Sequence, residues 1–265
     1  MSSLAADLEL IRAAAVDAGE LALAEREAGL KIWYKAGGSP VTSADIAVDG
    51  LLRDSLLAAR PDHGWLSEET ADTPERLSAR RIFVVDPIDG TVAYMNGKPW
   101  WCIPIAVVED GRPVAAVIHA PALGETFTAR LGGGAALNGR PITASDTADL
   151  DDASVLADAR LMEGPHWPEP WPVMRYEKRN AIAYRMALVA AGAFDAAIAL
   201  TPKWDWDVCA GALIVEEAGG RVSDHHGGAW RFNRSDPRQG SLVCSAPALH
   251  PLILRRTAPI PLAPR

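Results

Sequence analysis

The alternation of apolar and polar residues predicts two helices at the start of the chain. Apolar residues recur at helical spacing from Leu4 to about Glu27, which indicates a first amphipathic helix. Thr42 or Ser43 offers a cap for a second helix, and Pro61 cannot continue that helix. We therefore expect two helices before the first substantial strand.

Strand patterns dominate the next part of the chain. Short apolar runs at 82–85, 101–108, 113–120 and 124–129 are bounded by turn residues. They predict a largely antiparallel sheet that is flanked by the two early helices. The glycine run at 132–134 lacks the Lys-Ser/Thr and the strand-to-helix context of a phosphate loop, so it is predicted to be a hairpin turn.

Beyond Ser145 the pattern changes to strands that alternate with helices. These elements are predicted over 153–157 (strand), 181–191 (helix), 194–200 (strand) and 208–218 (helix). Such alternation is typical of an α/β arrangement. The chain is therefore predicted to have an N-terminal α+β half, residues 1–145, and a C-terminal α/β half, residues 146–265.

Composition narrows the class of protein. A chain of 265 residues with 49% hydrophobic and 23% charged residues is typical of a globular protein with a large core. The net charge of −8 argues against a general surface for nucleic-acid polymers or anionic membranes. No apolar run approaches the ~18 residues that span a bilayer, and no signal peptide is recognised. The three cysteines are far apart, so we expect reduced thiols and a cytoplasmic protein.

The segment Asp86-Pro87-Ile88-Asp89-Gly90-Thr91 holds the strongest candidate chemistry. It follows the apolar run at 82–85, so two carboxylates emerge where a buried strand ends. Asp and Gly also dominate ordinary turns, and this motif alone is compatible with a simple turn cap. Two fixed anions on one turn are unfavourable unless they are neutralised, and a hard divalent cation with oxygen ligands does this well.

Further acidic elements favour the metal interpretation. Ser67-Glu68-Glu69 follows the apolar pair Trp65-Leu66, and Trp206-Asp207 precedes a long helical pattern. No His or Cys joins these motifs, and an all-oxygen ligand set favours Mg²⁺ over Zn²⁺. The residues therefore predict an acidic site for a metal-bound phosphate.

Four segments in this order resemble the inositol monophosphatase superfamily of Mg²⁺-dependent, lithium-sensitive phosphomonoesterases. They are Ser39–Asp45, Ser67–Glu69, Asp86–Thr91, and Trp206–Val208 leading into Glu217–Gly220. The resemblance spans nearly the whole chain. It implies a layered αβαβα fold, a small phosphorylated metabolite as substrate and a homodimer.

The resemblance also implies a role for each matching residue. The family's first metal site is matched here by Glu68, Asp86 and the Ile88 carbonyl. Its second metal site is matched by Asp86, Asp89 and Asp207, and the resemblance implies two or three Mg²⁺ ions in all. Asp45 and Thr91 match the pair that orients and deprotonates the attacking water, while the Gly90 and Thr91 amides match the phosphate contacts. Neighbouring side chains are predicted to be solvent-facing: Asp49, Glu69, Asp205, and an exposed turn at His225-His226.

The substrate is less well specified. Inositol monophosphatases carry an acidic residue just before the Trp-Asp motif, whereas the segment Ile198–Lys203 has none. The segment Lys35–Asp45 looks closer to bacterial 3′(2′),5′-bisphosphate nucleotidases, and Lys203 or Arg185 could meet a second phosphate. We therefore expect hydrolysis of adenosine 3′,5′-bisphosphate, with inositol-1-phosphate second and histidinol phosphate or fructose 1,6-bisphosphate after it.

A different class of function is a catalytically silent metal-binding or regulatory protein on the same fold. The matching positions Asp45, Glu68, Asp86, Asp89 and Asp207 all keep their carboxylates. A protein that had lost its activity would be expected to lose ligands, so the sequence favours an enzyme.

Overall fold

The computed structural model describes residues 3–164 and 167–261. Seven α-helices lie within these residues: α1 (Leu4–Ala28), α2 (Ser43–Ala59), α3 (Thr91–Met95), α4 (Ala159–Met162), α5 (Ile182–Ala190), α6 (Asp205–Glu217) and α7 (Leu249–Thr257). The first strands form a separate hairpin, β1 (Ile32–Tyr34) with β2 (Pro40–Thr42). This hairpin connects the two N-terminal helices.

The larger sheet has seven strands in sequence order. They are β3 (Gly64–Ser67), β4 (Arg81–Val85), β5 (Ile103–Glu109), β6 (Arg112–Ala120), β7 (Glu125–Arg130), β8 (Ala135–Leu137) and β9 (Arg140–Ile142). The β3–β4 pair is parallel and every following pair is antiparallel. The expected largely antiparallel sheet is therefore present, with one parallel strand at its edge.

The second sheet belongs to the later part of the chain. Its strands are β10 (Ser154–Leu156), β11 (Arg175–Glu177), β12 (Ala196–Ala199), β14 (Arg221–Ser223) and β16 (Leu242–Ser245), and a separate two-stranded ribbon joins β13 (Lys203–Trp204) to β15 (Arg238–Gln239). The order in the sheet is β11-β10-β12-β16-β14. The β10 strand is parallel to both of its neighbours, which fits the predicted α/β texture.

Strand β4 shows how the layers are held together. Phe83 and Val85 belong to the apolar cluster that includes α1 and α2. Ile82 and Val84 face the opposite way, into the cluster that includes α5 and α6. Alternating side chains of a strand point to opposite faces of the sheet, so this strand is buried on both sides.

The complete order is helix, sheet, helix, sheet, helix. Helices α5 and α6 pack between the sheets, and α7 covers the outer face of the five-stranded sheet. The predicted layered αβαβα fold is confirmed. The division at residue 145 stays a prediction, because the central helices share one apolar core with both sheets.

Two smaller features bear on the sequence analysis. The glycine run at 132–134 is the turn between β7 and β8, and the amides of Gly132 and Gly134 donate to the Glu217 carboxylate at 2.8 and 2.7 Å. These amides therefore bind a carboxylate of the protein itself. Across 3–164 and 167–261, no helix combines the length and the apolar character needed to cross a bilayer.

Candidate active site

The Asp86–Thr91 segment leaves the end of β4 and leads directly into α3. The Ile88 amide donates to the Asp86 carboxylate at 3.0 Å, which fixes the bend between the two aspartates. Gly90 caps α3 with φ of 92°, in the left-handed region that favours glycine. A Cβ at Gly90 would lie 3.0 Å from the Ala181 Cβ, so a glycine is also needed for the close approach of α5.

Asp89 joins this turn to the start of α5. Its carboxylate accepts the Ile182 amide at 3.1 Å and the Ala183 amide at 2.6 Å. The first amides of a helix lack partners within the helix, and a carboxylate there also interacts favourably with the helix dipole. The backbone of Asp89 pairs with Cys102 as well. Asp89 is therefore held from both halves of the chain.

Asp45 and Thr91 lie against each other, as the resemblance requires. Asp45 occupies the third position of α2, where its carboxylate and the Thr42 side chain form a reciprocal capping box. The Thr91 hydroxyl is 3.3 Å from the other Asp45 oxygen and 3.2 Å from the Ile88 carbonyl oxygen. Because the capping box fixes one oxygen of Asp45, the other remains directed at Thr91.

Glu68 follows β3 and is paired with a lysine. The Lys35 ammonium lies 2.8 Å from a Glu68 carboxylate oxygen and 2.7 Å from one of Glu69. Lys35 comes from the turn of the β1–β2 hairpin, so this hairpin reaches over the acidic residues. The Glu69 side chain is only 7% exposed, and burial raises its pKa to about 7.

Asp207 lies in the first turn of α6 and completes the acidic group. Its carboxylate accepts the Trp204 amide at 2.8 Å. Burial, followed by the charges of Asp89 and Glu68, raises the pKa of Asp207 to about 8. The position of this aspartate at a helix N-terminus thus does not compensate for the desolvation of its charge.

The other carboxylates show the same mutual repulsion. Burial raises the pKa of Asp86 well above its ordinary value, and the charges of Glu68, Asp89 and Asp207 add to the effect. Burial also raises the pKa of Asp89 to about 6, although the α5 amides oppose this shift. The pKa of Asp45 is raised for the same primary reason. Five carboxylates therefore share one poorly solvated region that a cation would stabilise.

The side chains nevertheless do not form a closed ligand cage. Within residues 3–164 and 167–261, no three His, Cys, Asp or Glu side chains converge as a preformed metal cluster. Lys35 holds Glu68, and helix amides hold Asp89 and Asp207. The oxygen donors fit a hard cation by their chemistry. In this structure, however, the carboxylates are bound by the lysine and by the backbone amides.

A cleft of about 330 Å³ lies over these residues and continues into a second space of about 620 Å³. The two spaces share four lining residues: Asp89, Asn180, Arg185 and Asp207. We call the first space the acidic side and the second the cationic side. The acidic side contains Glu68, Asp86, Gly90 and Thr91, so the cleft runs from the carboxylates towards the ends of α5 and β12.

Basic side chains line the cationic side. The Lys203 ammonium donates to the Thr201 hydroxyl at 2.7 Å and to the Pro202 carbonyl at 3.2 Å, and burial lowers its pKa. Lys203 forms no ion pair with a carboxylate anywhere in the described ranges. Lys178 also lines this space, but it is paired with Asp158 at 2.6 Å.

Arg185 stands where the two spaces meet. One guanidinium nitrogen donates to the Arg179 carbonyl. Its Nε atom is buried and has no hydrogen-bond partner among the described residues. Burial lowers the pKa of Arg185, whereas the charge of Asp89 opposes that shift. A buried donor without a partner is unfavourable, so an acceptor on a ligand would stabilise it.

Comparison with known proteins identifies the chain. The model of the inositol monophosphatase family matches residues 4–261. The chain belongs to this family. Its members are phosphatases, generally metal-dependent, and the chain is accordingly a hydrolase of phosphomonoesters.

Relatives within the inositol monophosphatase family are named for different activities. The chain is 33% identical over 249 residues to an inositol-1-monophosphatase of Rhizobium meliloti (strain 1021), with 88% of each protein covered. It is 35% identical over 242 residues to a histidinol-phosphatase of Mycobacterium tuberculosis (strain ATCC 25618 / H37Rv), with 86% of this chain and 88% of the relative covered. An IMPase of Thermotoga maritima gives a TM-score of 0.80 at 27% identity, covering 94% and 95% of the two chains.

Several solvent-facing assignments were wrong. Asp49 is 7% exposed because the hydroxyls of Ser67 and Thr70 donate to it. Asp205 is fully buried and accepts the Asn233 amide at 2.9 Å and the Gln239 side chain at 2.8 Å. Each of these two carboxylates accepts hydrogen bonds from residues that are distant in the sequence. The local sequence around Asp49 or Asp205 does not indicate those donors.

Glu69 and His225 complete these corrections. Glu69 is buried against Lys35, as described above. The His225 side chain is buried between the Ser241 hydroxyl at 2.8 Å and the Ile260 carbonyl at 2.9 Å, whereas His226 is exposed. The turn is present, but its first histidine anchors the residues that follow α7.

Other residues of the inositol monophosphatase site were missed. Asn180 lines both spaces, and Lys178, Asp158 and Thr201 line the cationic side. Asn180 stands two positions before α5, and residues near a helix N-terminus often bind ligands. This position was the one feature of the sequence that could have indicated a role for Asn180. The pairing of Lys35 with Glu68 had no signal, because the two residues are 33 positions apart.

Proposed function

We propose that the chain is a Mg²⁺-dependent phosphomonoesterase whose substrate carries a second anionic group. A 3′(2′),5′-bisphosphate nucleotide such as adenosine 3′,5′-bisphosphate is the first candidate, and its products are AMP and phosphate. The observation that supports this proposal is a single cleft with four carboxylates on its acidic side, Glu68, Asp86, Asp89 and Asp207, and with Lys203 and Arg185 on its cationic side. The first group suits metal ions and the second suits an anion.

The proposed ligands follow the family pattern. Glu68, Asp86 and the Ile88 carbonyl would hold one ion, and Asp86, Asp89 and Asp207 would hold another, with two or three Mg²⁺ ions per site. All donors are oxygens, as Mg²⁺ prefers, and the raised pKa of Asp207 and its neighbours supports a need for positive charge. Glu68 would exchange its contact with Lys35 for the ion. Bound Mg²⁺ would neutralise phosphate charge and activate a water molecule.

The protein groups would position the reactants. Asp45 and Thr91 would orient the attacking water, with Asp45 accepting its proton. Burial raises the pKa of Asp45, and this brings its pKa closer to the value that suits a general base near neutral pH. The amides of Gly90 and Thr91 would receive phosphate oxygens at the start of α3.

The cationic side supports the choice of substrate. A second phosphate would give Lys203 an anionic partner and would offer acceptors to the Arg185 Nε atom. Histidinol phosphate carries an ammonium group, which these two cations would repel. Asp158, the further carboxylate of this space, is already paired with Lys178. Inositol-1-phosphate remains the second candidate, since the relative from Rhizobium meliloti carries that name.

A substrate panel tests the proposal. Phosphate release would be measured with adenosine 3′,5′-bisphosphate, inositol-1-phosphate, histidinol phosphate and fructose 1,6-bisphosphate, each with Mg²⁺ and with EDTA. We expect activity that requires Mg²⁺ and the highest kcat/KM with the bisphosphate nucleotide. A preference for inositol-1-phosphate would favour the second candidate. Activity with none of these esters would favour the silent regulatory alternative.

Two further properties stay predictions. We expect millimolar lithium to inhibit by competing for one metal position, and turnover that does not change during a lithium titration at fixed Mg²⁺ would contradict this. We also expect a homodimer, and light scattering coupled to size-exclusion chromatography measures the mass directly.

A further inference from the structure

Asp49 has no assigned role, although it lies beside the acidic residues. It stands four positions after Asp45 on α2, so the two carboxylates share a helix face. The Ser67 hydroxyl donates to one oxygen of Asp49 and the Thr70 hydroxyl donates to the other. One carboxylate therefore binds both ends of the four-residue segment that contains Glu68 and Glu69.

This segment is fixed by further contacts on each side. The Thr70 hydroxyl also accepts the Trp65 indole N–H at 3.3 Å. Ser67 is 2% exposed and pairs with Val85 in the parallel register of β3 and β4. The Glu68 amide donates to the Val85 carbonyl at 3.4 Å. The backbone of Glu68 is thus set against β4, the strand that leads into Asp86.

Asp49 is a largely buried carboxylate that binds this segment through neutral donors. Asp49 forms no ion pair within residues 3–164 and 167–261, and the Ser67 and Thr70 side chains that donate to it are neutral hydroxyls. Burying a carboxylate with neutral partners is less favourable than burying a neutral side chain of the same shape. A carboxylate can, however, accept two hydroxyls at once, which no aliphatic side chain can do.

We propose that Asp49 is a positioning residue that fixes the 67–70 segment so that Glu68 can bind Mg²⁺ beside Asp86. This inference rests on the proposed function. Residues that orient metal ligands typically change metal affinity about 10- to 100-fold when they are replaced. The predicted effect of replacing Asp49 is therefore on Mg²⁺ affinity, with little effect on turnover once the site is saturated.

The test uses the purified full chain and Mg²⁺ itself. Isothermal titration calorimetry would give the Kd for Mg²⁺, and the melting temperature would be measured with and without Mg²⁺. We expect Asp49→Ala to weaken Mg²⁺ binding about tenfold, and kcat at saturating Mg²⁺ to stay within about threefold of wild type. Asp49→Asn keeps the shape and one acceptor, so it should recover most of the affinity.

Asp195 provides a matched control. Its carboxylate also accepts hydroxyls, from Ser145, Thr147 and Ser154, but it lines neither space of the cleft. Asp195→Asn should lower the melting temperature equally with and without Mg²⁺ and leave the Kd for Mg²⁺ unchanged. This comparison separates a loss of stability from a loss of metal affinity.

The outcomes are distinct. A Kd for Asp49→Ala within twofold of wild type would overturn the positioning role and leave the proposed function intact. If Asp49→Ala does not fold, Thr70→Val removes one of the two hydroxyls at nearly constant volume, and it should weaken Mg²⁺ binding about threefold. An unchanged Kd for Thr70→Val would overturn the role as well. Wild-type protein that binds no Mg²⁺ would overturn the proposed function together with this inference.

Discussion

The two sides of the cleft are built in different ways. The acidic side is formed mostly by one short turn, residues 86–91, together with Glu68 after β3 and Asp207 in the first turn of α6. The cationic side shares Asp89 and Asp207 with the acidic side, and its other residues come from α4, α5, β12, β13 and the segments next to them. We therefore expect the reaction to depend mainly on residues in recognisable motifs, and substrate selection to depend on how distant elements meet.

Charge balance differs between the two sides as well. On the acidic side burial raises the pKa of Asp86, the charges of the neighbouring carboxylates add to this rise, and the Lys35 ammonium is bound to Glu68. On the cationic side the main cause of the lowered pKa of Lys203 and Arg185 is burial. On both sides the protein does not fully neutralise its own buried charges. Each side would therefore be stabilised by a ligand of the opposite charge.

The largest effect is expected on the acidic side, from Asp86→Asn. Asparagine can still accept the Ile88 amide, so the turn should persist while the charge is lost. We expect kcat/KM at saturating Mg²⁺ to fall at least about 100-fold, or roughly 2.7 kcal/mol of transition-state stabilisation. Phosphate release measures the change. Asp54→Asn, an exposed carboxylate on α2, is the matched control and should retain full activity.

Asp86 is a better target than Asp89 for this comparison. An amide at position 89 would place N–H donors against the amides of Ile182 and Ala183, which would disturb α5 in addition to removing a charge. If Asp86→Asn kept more than about a tenth of wild-type activity, the acidic side would not be the catalytic side. A tenfold change corresponds to only about 1.4 kcal/mol.

An intermediate effect is expected from pH. The pKa of Asp207 is about 8 in the folded protein, above the ordinary aspartate value of 3.8. Between these values the folded state binds more protons than the unfolded state, so stability falls as pH rises. From pH 7 to 8.5 we expect metal-free protein to lose about 1 kcal/mol from this group.

Urea denaturation at several pH values measures this loss. Asp207→Asn should remove the part of this loss that Asp207 causes, and Mg²⁺ should reduce the loss in the wild-type protein because the ion binds the folded state. If the free energy of unfolding of the wild-type protein instead rises between pH 7 and 8.5, the carboxylates of the acidic side are less destabilised by burial than their raised pKa values indicate.

The smallest effect is expected on the cationic side, from Lys203→Ala. The lysine is half-buried, and water screens part of its interaction with a phosphate, so about 1 kcal/mol of discrimination is reasonable. We expect kcat/KM for the bisphosphate nucleotide to fall about fivefold and kcat/KM for inositol-1-phosphate to change little. Lys31→Ala is a control, since that lysine is exposed and lines neither side of the cleft. An equal fall for both substrates would contradict a role in selectivity.

Much of the fold could be predicted because its signals are local. The helical pattern of Leu4–Ala28, the cap at Thr42 and the apolar run before Asp86 each specify an element without reference to the rest of the chain. The layered order followed from the family resemblance. Helix and strand periodicity shows which face is buried, but it does not show what lies against that face.

The same limit explains the errors. Asp49 and Asp205 look like surface acids in their local sequence, and both are buried because hydroxyl, amide or backbone donors reach them from other elements. A buried polar group is tolerated when its hydrogen bonds are formed, and those partners are fixed only after folding. For the same reason Asn180 and the Lys35–Glu68 contact could not be found from spacing alone.

The bond between Asp89 and α5 has a consequence for how substrates reach the cleft. A jaw-like motion that separated residues 1–145 from the later elements would break two hydrogen bonds to a buried carboxylate and separate a shared apolar core. Such a motion is energetically unfavourable. We therefore expect substrate to enter from the solvent-facing mouth of the cleft without such a motion, and small-angle X-ray scattering curves with and without ligand should superpose.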